Sequence, residues 1–193
     1  MTVHLVHKIL LVIIVYGYGL AAFASEPLML TVDKVQQQRF IKAEKLIHKS
    51  QSAQYKALYN QLHYYPLQPY LDQKRLLKNI RLSNATEITH FLEKYQGTPL
   101  DWPLRKKWLK YLAKHKQGLL FLQAYKPTVN AELSCQHLKF RLASGLPESV
   151  VLPQVTKLWK VGKSQNKACD PLFERWKKAG FQTNDVVWAR IAL

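Results

Sequence analysis

Four groups of residues bring chemically capable side chains close together. Cys135 and Cys169 are the only cysteines and lie 34 positions apart. Such a pair can close a disulfide, join further ligands around a metal, or supply a nucleophile. His137 stands two residues from Cys135, but no C-x-x-C or H-x-x-x-H pattern completes a zinc set. Glu148-Ser149 offers a carboxylic acid of the kind that protonates a glycosidic oxygen. Gly145 and Pro147 precede it, however, and put it at the mouth of a helix, where a carboxylate complements the N-terminal dipole. Gly162-Lys163-Ser164 imitates the end of a phosphate-binding loop, yet the position five before Gly162 is Lys157 and no strand leads into it, so nucleotide binding is not expected. Finally, Arg105-Lys106-Lys107 between Trp102 and Trp108, and Lys177-Lys178 beside Trp176, mix cations with aromatics as surfaces for acidic glycans or single strands do. A helix with a solvated basic face and a core tryptophan spells the same letters.

The compartment narrows these choices. Lys8 is the only Lys or Arg before position 34; an apolar run over 9–20 follows it and ends in Ala22-Phe23-Ala24, an A-x-A cleavage site. The run falls well short of the ~30 Å needed to span a bilayer, so residues 1–24 are expected to be a cleaved secretory signal and 25–193 the mature domain, with no stable membrane span. The whole chain carries 29 Lys and Arg against 12 Asp and Glu, a net charge of +17, and removal of the leader takes away only Lys8. Any electrostatic partner is therefore anionic, and export makes nucleic acid an unexpected one. In an oxidising compartment the isolated Cys135 and Cys169 read as one disulfide, contributing ~3 to 4 kcal/mol in the chain-entropy model. No metal and no cofactor are expected. A composition 48% hydrophobic and 21% charged, with 7 Gly and 9 Pro, excludes collagen, low-complexity disorder and a disulfide-dense miniprotein.

The elements that must position these groups are helical almost throughout. Phe40, Ala43 and Ile47 form one apolar stripe, and Tyr55, Leu58, Tyr59 and Leu62 repeat it after a polar break at 50–52. Pro66 and Pro69 start a third helix through Leu71, Leu77 and Ile80. Ser83 or Asn84 can cap a fourth through Ile88, Phe91, Leu92 and Tyr95, which Gly97 stops. Leu104, Trp108, Tyr111 and Leu112 predict a fifth, 117–125 a short sixth, and Leu133, Leu138 and Leu142 a seventh after Asn130. Ser149 is expected to cap an eighth through Val151, Val155, Leu158 and Trp159, with Pro153 in its first turn or so; shorter helices follow at 172–179 and 184–192. No stretch sustains a period of two. Short helices joined by short turns predict an all-α fold, an α-solenoid or superhelix of antiparallel helices.

Two blocks then resemble a known family. Tyr65-Pro66-Leu67-Gln68-Pro69-Tyr70-Leu71 is similar to the Y-P-L-x-P-Y-L signature near the N-terminus of the soluble lytic murein transglycosylases of the Gram-negative periplasm. The second block is Leu158-Trp159, then Gly162-Lys163-Ser164, then Cys169-Asp170, Leu172-Phe173 and Trp176. The resemblance spans roughly 35–193 and implies a periplasmic α-superhelix, with Cys135 and Cys169 as the family's paired cysteines. In complete members such a superhelix accompanies a C-terminal lysozyme-like domain that cleaves between N-acetylmuramic acid and N-acetylglucosamine and leaves a 1,6-anhydro end. The family's catalytic Glu-Ser precedes a Gly-Leu-Met-Gln stretch, and nothing like it follows Glu148-Ser149. No catalytic residue carries over, and the chain is expected to match the helical N-terminal part alone. Peptidoglycan, held weakly through charge, or the remainder of a split transglycosylase is the expected partner.

Overall fold

Polar breaks, prolines and glycines cut the chain into helices of one to four turns, none able to bury its apolar face alone. The computed structural model describes residues 34–193; the expected leader at 1–24 lies outside the described residues. These form α1 (Lys34–Lys45), α2 (Ala53–Asn60), α3 (Gln68–Lys78), α4 (Ala85–Lys94), α5 (Asp101–Lys114) and α6 (Gly118–Ala124). α7 (Ala131–Ala143), α8 (Glu148–Val151), α9 (Val155–Trp159), α10 (Asp170–Lys178) and α11 (Asn184–Ile191) complete them, with no strand among the described residues. Consecutive helices pack on one another, as α1 does on α2 and α6 on both α5 and α7. The fold is the expected all-α superhelical array. No described helix is long and apolar enough to cross a membrane.

Local chemistry accounts for the boundaries. Ser52 Oγ accepts from the Tyr55 amide at 3.2 Å and Asn130 Oδ1 from the Leu133 amide at 3.0 Å, capping α2 and α7. Pro69 and Pro171 sit in the first turns of α3 and α10, where a missing N–H costs least. Gly97 and Gly145, at φ +77° and +91°, turn the chain out of α4 and α7.

Four expectations need correction. The helix expected through 151–159 is broken: α8 ends at Val151, Leu152–Gln154 forms a 3₁₀ turn, and α9 restarts at Val155, because Pro153 offers no N–H to a continuous ladder. Ser149 is not the cap; Pro147 occupies that position without a side-chain hydrogen bond, and Ser149 lies inside α8. Asn84 does precede α4, but its side-chain amide donates to the Asn79 carbonyl at 2.8 Å instead of capping. Ile47 also falls beyond α1, in the 3₁₀ turn Ile47–Lys49.

The buried side chains gather into three successive cores. The first joins Ala43, Tyr55, Leu62, Tyr65 and Leu71; the second runs from Leu76 through Trp108 and Phe121 to Leu133; the third joins Cys135, Leu138, Val151, Leu152, Leu172 and Trp176.

Candidate functional site

Where α2, α3 and α4 meet, the sequence places two tyrosines one turn apart opposite an Asp and an Arg one turn apart. The Tyr59 hydroxyl lies 2.9 and 2.8 Å from the two Asp72 oxygens. Arg75 approaches Asp72 at 3.6 Å and hydrogen-bonds both carboxylate oxygens of Glu87 on α4. Tyr59, Asp72, Arg75 and Glu87 line a cavity of about 590 Å³ together with Ser83, His90 and Lys94. Burial raises the Asp72 pKa above its usual value despite Tyr59 and Arg75, whereas the Arg75 hydrogen bond lowers that of Glu87. Burial, reinforced by the negative Asp72, pushes the Tyr55 hydroxyl up to about 12, and Tyr59 moves the same way for the same reasons and through its bond to Asp72. The buried Tyr55 hydroxyl finds no hydrogen-bond partner among the described residues.

A carboxyl with a raised pKa beside one with a lowered pKa is the pattern of an acid and base pair. Here it has another use. Tyr59 already engages both Asp72 oxygens, and Arg75 bridges Asp72 to Glu87, so the cluster ties α2, α3 and α4 together through charge-assisted hydrogen bonds.

Glu148, the one acid in a family-like Glu-Ser pair, accepts from Arg175 Nε at 2.6 Å, and both side chains are about half exposed. It occupies the first turn of α8 as the dipole argument requires, and it links α8 to α10.

The cation clusters divide into buried and exposed members. Arg105 does not belong to a basic surface: it is 4% exposed, and its guanidinium reaches Asp101, Leu92 and Ala124. Its neighbours Lys106 and Lys107 are exposed, as are Lys177 and Lys178, while Trp108 and Trp176 are core. Among the described residues no three His, Cys, Asp or Glu side chains gather as metal ligands.

Cys135 and Cys169 form the expected disulfide, with Cα atoms 5.2 Å apart, fastening α7 to the 3₁₀ turn Lys167–Cys169 that leads into α10. The second sequence block surrounds this bond. Leu158, Trp159 and Phe173 pack against the third core, Leu172 and Trp176 lie in it, and Trp176 Nε1 donates to Thr156 Oγ1 at 3.0 Å. Asp170, exposed, opens α10. Gly162 lies close against the end of the chain: a Cβ there would lie 3.2 Å from the Leu193 carbonyl group. Arg190 stacks over Trp159 at 4.5 Å and donates to the Trp159 and Lys163 carbonyls, so Gly162, Lys163 and Ser164 form a seat for α11. The first block lies in a different core: Tyr65 and Leu71 are buried, Tyr65 meets Phe40 at 5.5 Å, and Pro66, Leu67 and Tyr70 are exposed. The fold does not bring the two blocks together into one site.

Soluble lytic murein transglycosylases of Salmonella typhimurium and Escherichia coli K12 are each 30% identical to the chain over 131 residues, 67% of this chain and 20% of theirs. The chain thus spans about a fifth of the length of the relatives it matches. An inactive mutant of the lytic transglycosylase Slt from Pseudomonas aeruginosa shares 32% identity and a TM-score of 0.67, over 79% of this chain and 25% of that one. The 70 kDa soluble lytic transglycosylase of Escherichia coli has a similar fold, with a TM-score of 0.69 at 24% identity over 82% of this chain and 26% of that one. No protein-family model matches the sequence.

Proposed function

We propose that this chain, which belongs to the soluble lytic murein transglycosylase family, serves peptidoglycan turnover in the periplasm as a non-catalytic helical domain. Residues 1–24 act as its cleaved leader and 25–193 as the exported domain. It holds the polymer, while cleavage of the bond between N-acetylmuramic acid and N-acetylglucosamine belongs to a lysozyme-like domain of the same protein or of a partner chain.

The fate of the carboxylates carries this reading. Glu44, Asp72, Glu87, Asp101, Glu132 and Glu148 all sit in ion pairs, four of them with the cation on another helix of the array. A general acid for glycoside cleavage needs a free proton beside the leaving oxygen in a groove that grips the sugar, and these carboxylates are structural ties instead. Because the chain has only 12 acids and six of them are engaged in these pairs, the lysines dominate the outer faces. That surface suits a polymer whose stem peptides carry carboxylates, over distances limited to ~8 Å by physiological salt.

The experiment is a pull-down of the exported protein with insoluble peptidoglycan at low and high salt, with the supernatant examined for anhydro-muropeptides. Retention at low salt, release at high salt and no anhydro products are expected, and the mass of the exported protein should correspond to a start at Ser25. Anhydro products that vanish on Glu148→Gln would make Glu148 catalytic and overturn the reading.

One observation points to a further helix packed on the array, whether of the same protein or of a partner chain. Trp188 and Ile191, each 66% exposed, lie one turn apart on α11, an apolar strip of the kind that stacked helices cover with a further helix. Loss of a co-purifying transglycosylase fragment on Trp188→Glu would support that assembly.

A further inference from the structure

A second groove, about 580 Å³, opens between the connection that follows α6, α7, and the end of α9 with the loop beyond it. Its character differs from that of the Asp72 cavity. Leu138, Leu158 and Val161 supply an apolar floor, and the Tyr125 and His137 rings form a wall, stacked 3.9 Å apart and only 6° from parallel. The lip is fixed to α7: the Tyr125 hydroxyl and Ser134 Oγ are 3.3 Å apart, and Ser134 Oγ donates to the Thr128 carbonyl at 3.2 Å. At the edge stands Val129, an apolar side chain left fully in water. The disulfide at Cys135 holds α7, one wall of this groove, against the turn before α10.

Its electrostatics are one-sided. No acid lines the groove, and Lys157 is the single charged residue in its lining. Burial and the neighbouring Arg141 hold His137 below its ordinary value, so at neutral pH the aromatic wall is uncharged. Gln154 is committed elsewhere, accepting from Arg141 at 2.9 Å and donating to the Val150 carbonyl at 2.9 Å.

We propose that this groove binds a short peptide of small side chains that ends in a carboxylate, laid along the Leu138, Leu158 and Val161 floor with the carboxylate at Lys157. The proposal rests on the peptidoglycan reading above, whose polymer presents such peptides. Charge complementarity selects the occupant: a groove with one lysine and no acid attracts an anion and repels the cationic partners that the rest of the surface would also reject. The volume suits a small ligand rather than a docked helix. A neutral sugar strand would leave Lys157 without a counter-charge, and a fully hydrated inorganic anion would gain nothing from the apolar floor.

The test is calorimetric titration of the exported chain with N-acetyl-trialanine as the free acid, with the same peptide as its C-terminal amide, and with a peptide-free N-acetylglucosamine oligosaccharide. The aromatic NMR resonances of Tyr125 and His137 serve as the site readout. The free acid should bind and shift those resonances, and the amide should bind about tenfold more weakly, the worth of one charge-assisted hydrogen bond. Lys157→Gln, at an exposed position that leaves the fold intact, should make acid and amide equal. Val129→Glu should weaken the acid by placing a like charge at the lip. Equal binding of acid and amide by the unaltered chain, binding of the oligosaccharide alone, or no binding at millimolar peptide would each overturn the proposal. The two readings fail separately. Peptide binding in the expected pattern without retention on peptidoglycan sinks the polymer reading and keeps the groove, whereas retention on peptidoglycan without peptide binding sinks the groove alone.

Discussion

Arg105 Nε donates to Asp101 Oδ1 at 2.6 Å, one turn back along α5, and both side chains are buried. The remaining nitrogens of the guanidinium donate to the Ala124 carbonyl at 2.6 Å and the Leu92 carbonyl at 3.1 Å. These carbonyls belong to the last turns of α6 and α4, where the helix ladder leaves acceptors unpaired. Asp101 Oδ2 in turn accepts from the Gly97 amide at 3.1 Å. One ion pair therefore closes the ends of two helices and the turn before its own. Arg105→Gln should lower stability by about 3–5 kcal/mol, since it leaves Asp101 buried and unpaired. Lys106→Gln, one residue on and exposed, should stay within ~0.5 kcal/mol. Urea unfolding of the two variants checks the contrast.

The Cys135–Cys169 bond should be intact in protein taken from an oxidising compartment, with no thiol alkylated before reduction. Reduction should lower the unfolding free energy by ~3 kcal/mol, as expected for closing a loop of this size. Two freely labelled cysteines without reductant would contradict the structure.

Acid should act on Asp72 and Glu87 with opposite signs. The folded Glu87 has a pKa below its ordinary 4.5, so its stabilisation is complete above that value and is lost as pH falls through the lower folded one. Asp72 is raised above 3.8; its unfavourable contribution is present at neutral pH and is relieved as pH falls through the raised value toward 3.8. Glu87→Gln should therefore cost up to ~1 kcal/mol at pH 7 and progressively less as pH falls below 4.5, a modest figure because the Glu87 side chain is half exposed. Denaturant midpoints across this range decide it.

Tyr59→Phe removes the hydroxyl that engages both Asp72 oxygens and leaves a largely buried carboxylate short of a donor. A loss of about 1–3 kcal/mol follows. In alkaline titration followed by phenolate absorbance, Tyr55 should stay protonated to about 12, with Tyr59 titrating later still.

Gly162→Ala places a methyl against the Leu193 carbonyl and should loosen the seat of α11 at a cost of up to about 1 kcal/mol, since the exposed Leu193 can give way in part. Arg190→Ala removes the stack on Trp159 and two hydrogen bonds to the same seat. Both variants should be clipped faster by protease within 184–193 than the parent. Unchanged cleavage would mean that α11 is held by other contacts.

Most helices were legible because each buries a single stripe, and a stripe such as Ile88, Phe91 and Leu92 leaves a period in the letters. The break at Pro153 was harder to read, since Val151, Val155 and Leu158 keep the same phase across it. Arg105 was misread as part of a basic run with Lys106 and Lys107. The signal that could have corrected it was Asp101 four residues earlier, on the face shared with Leu104 and Trp108. The Tyr59 to Asp72 bond crosses 13 positions and two helices, and periodicity carries no information about such a pairing. The groove at Tyr125 and His137 was equally hidden, because one of its walls is an irregular connection whose path depends on how α7 meets α9.

The three cores occupy consecutive stretches of the chain, with almost no interleaving. A polypeptide arranged in this way closes only short loops as it folds, which favours rapid acquisition of structure. It also permits a vectorial order. A chain emerging N-terminus first can complete the Ala43 to Leu71 core before the residues around Trp108 arrive, and the Trp108 core before either cysteine partner of the last one is in place. Oxidation would then seal a segment whose neighbours are already folded, leaving little opportunity for the thiols to be captured by an incomplete upstream structure.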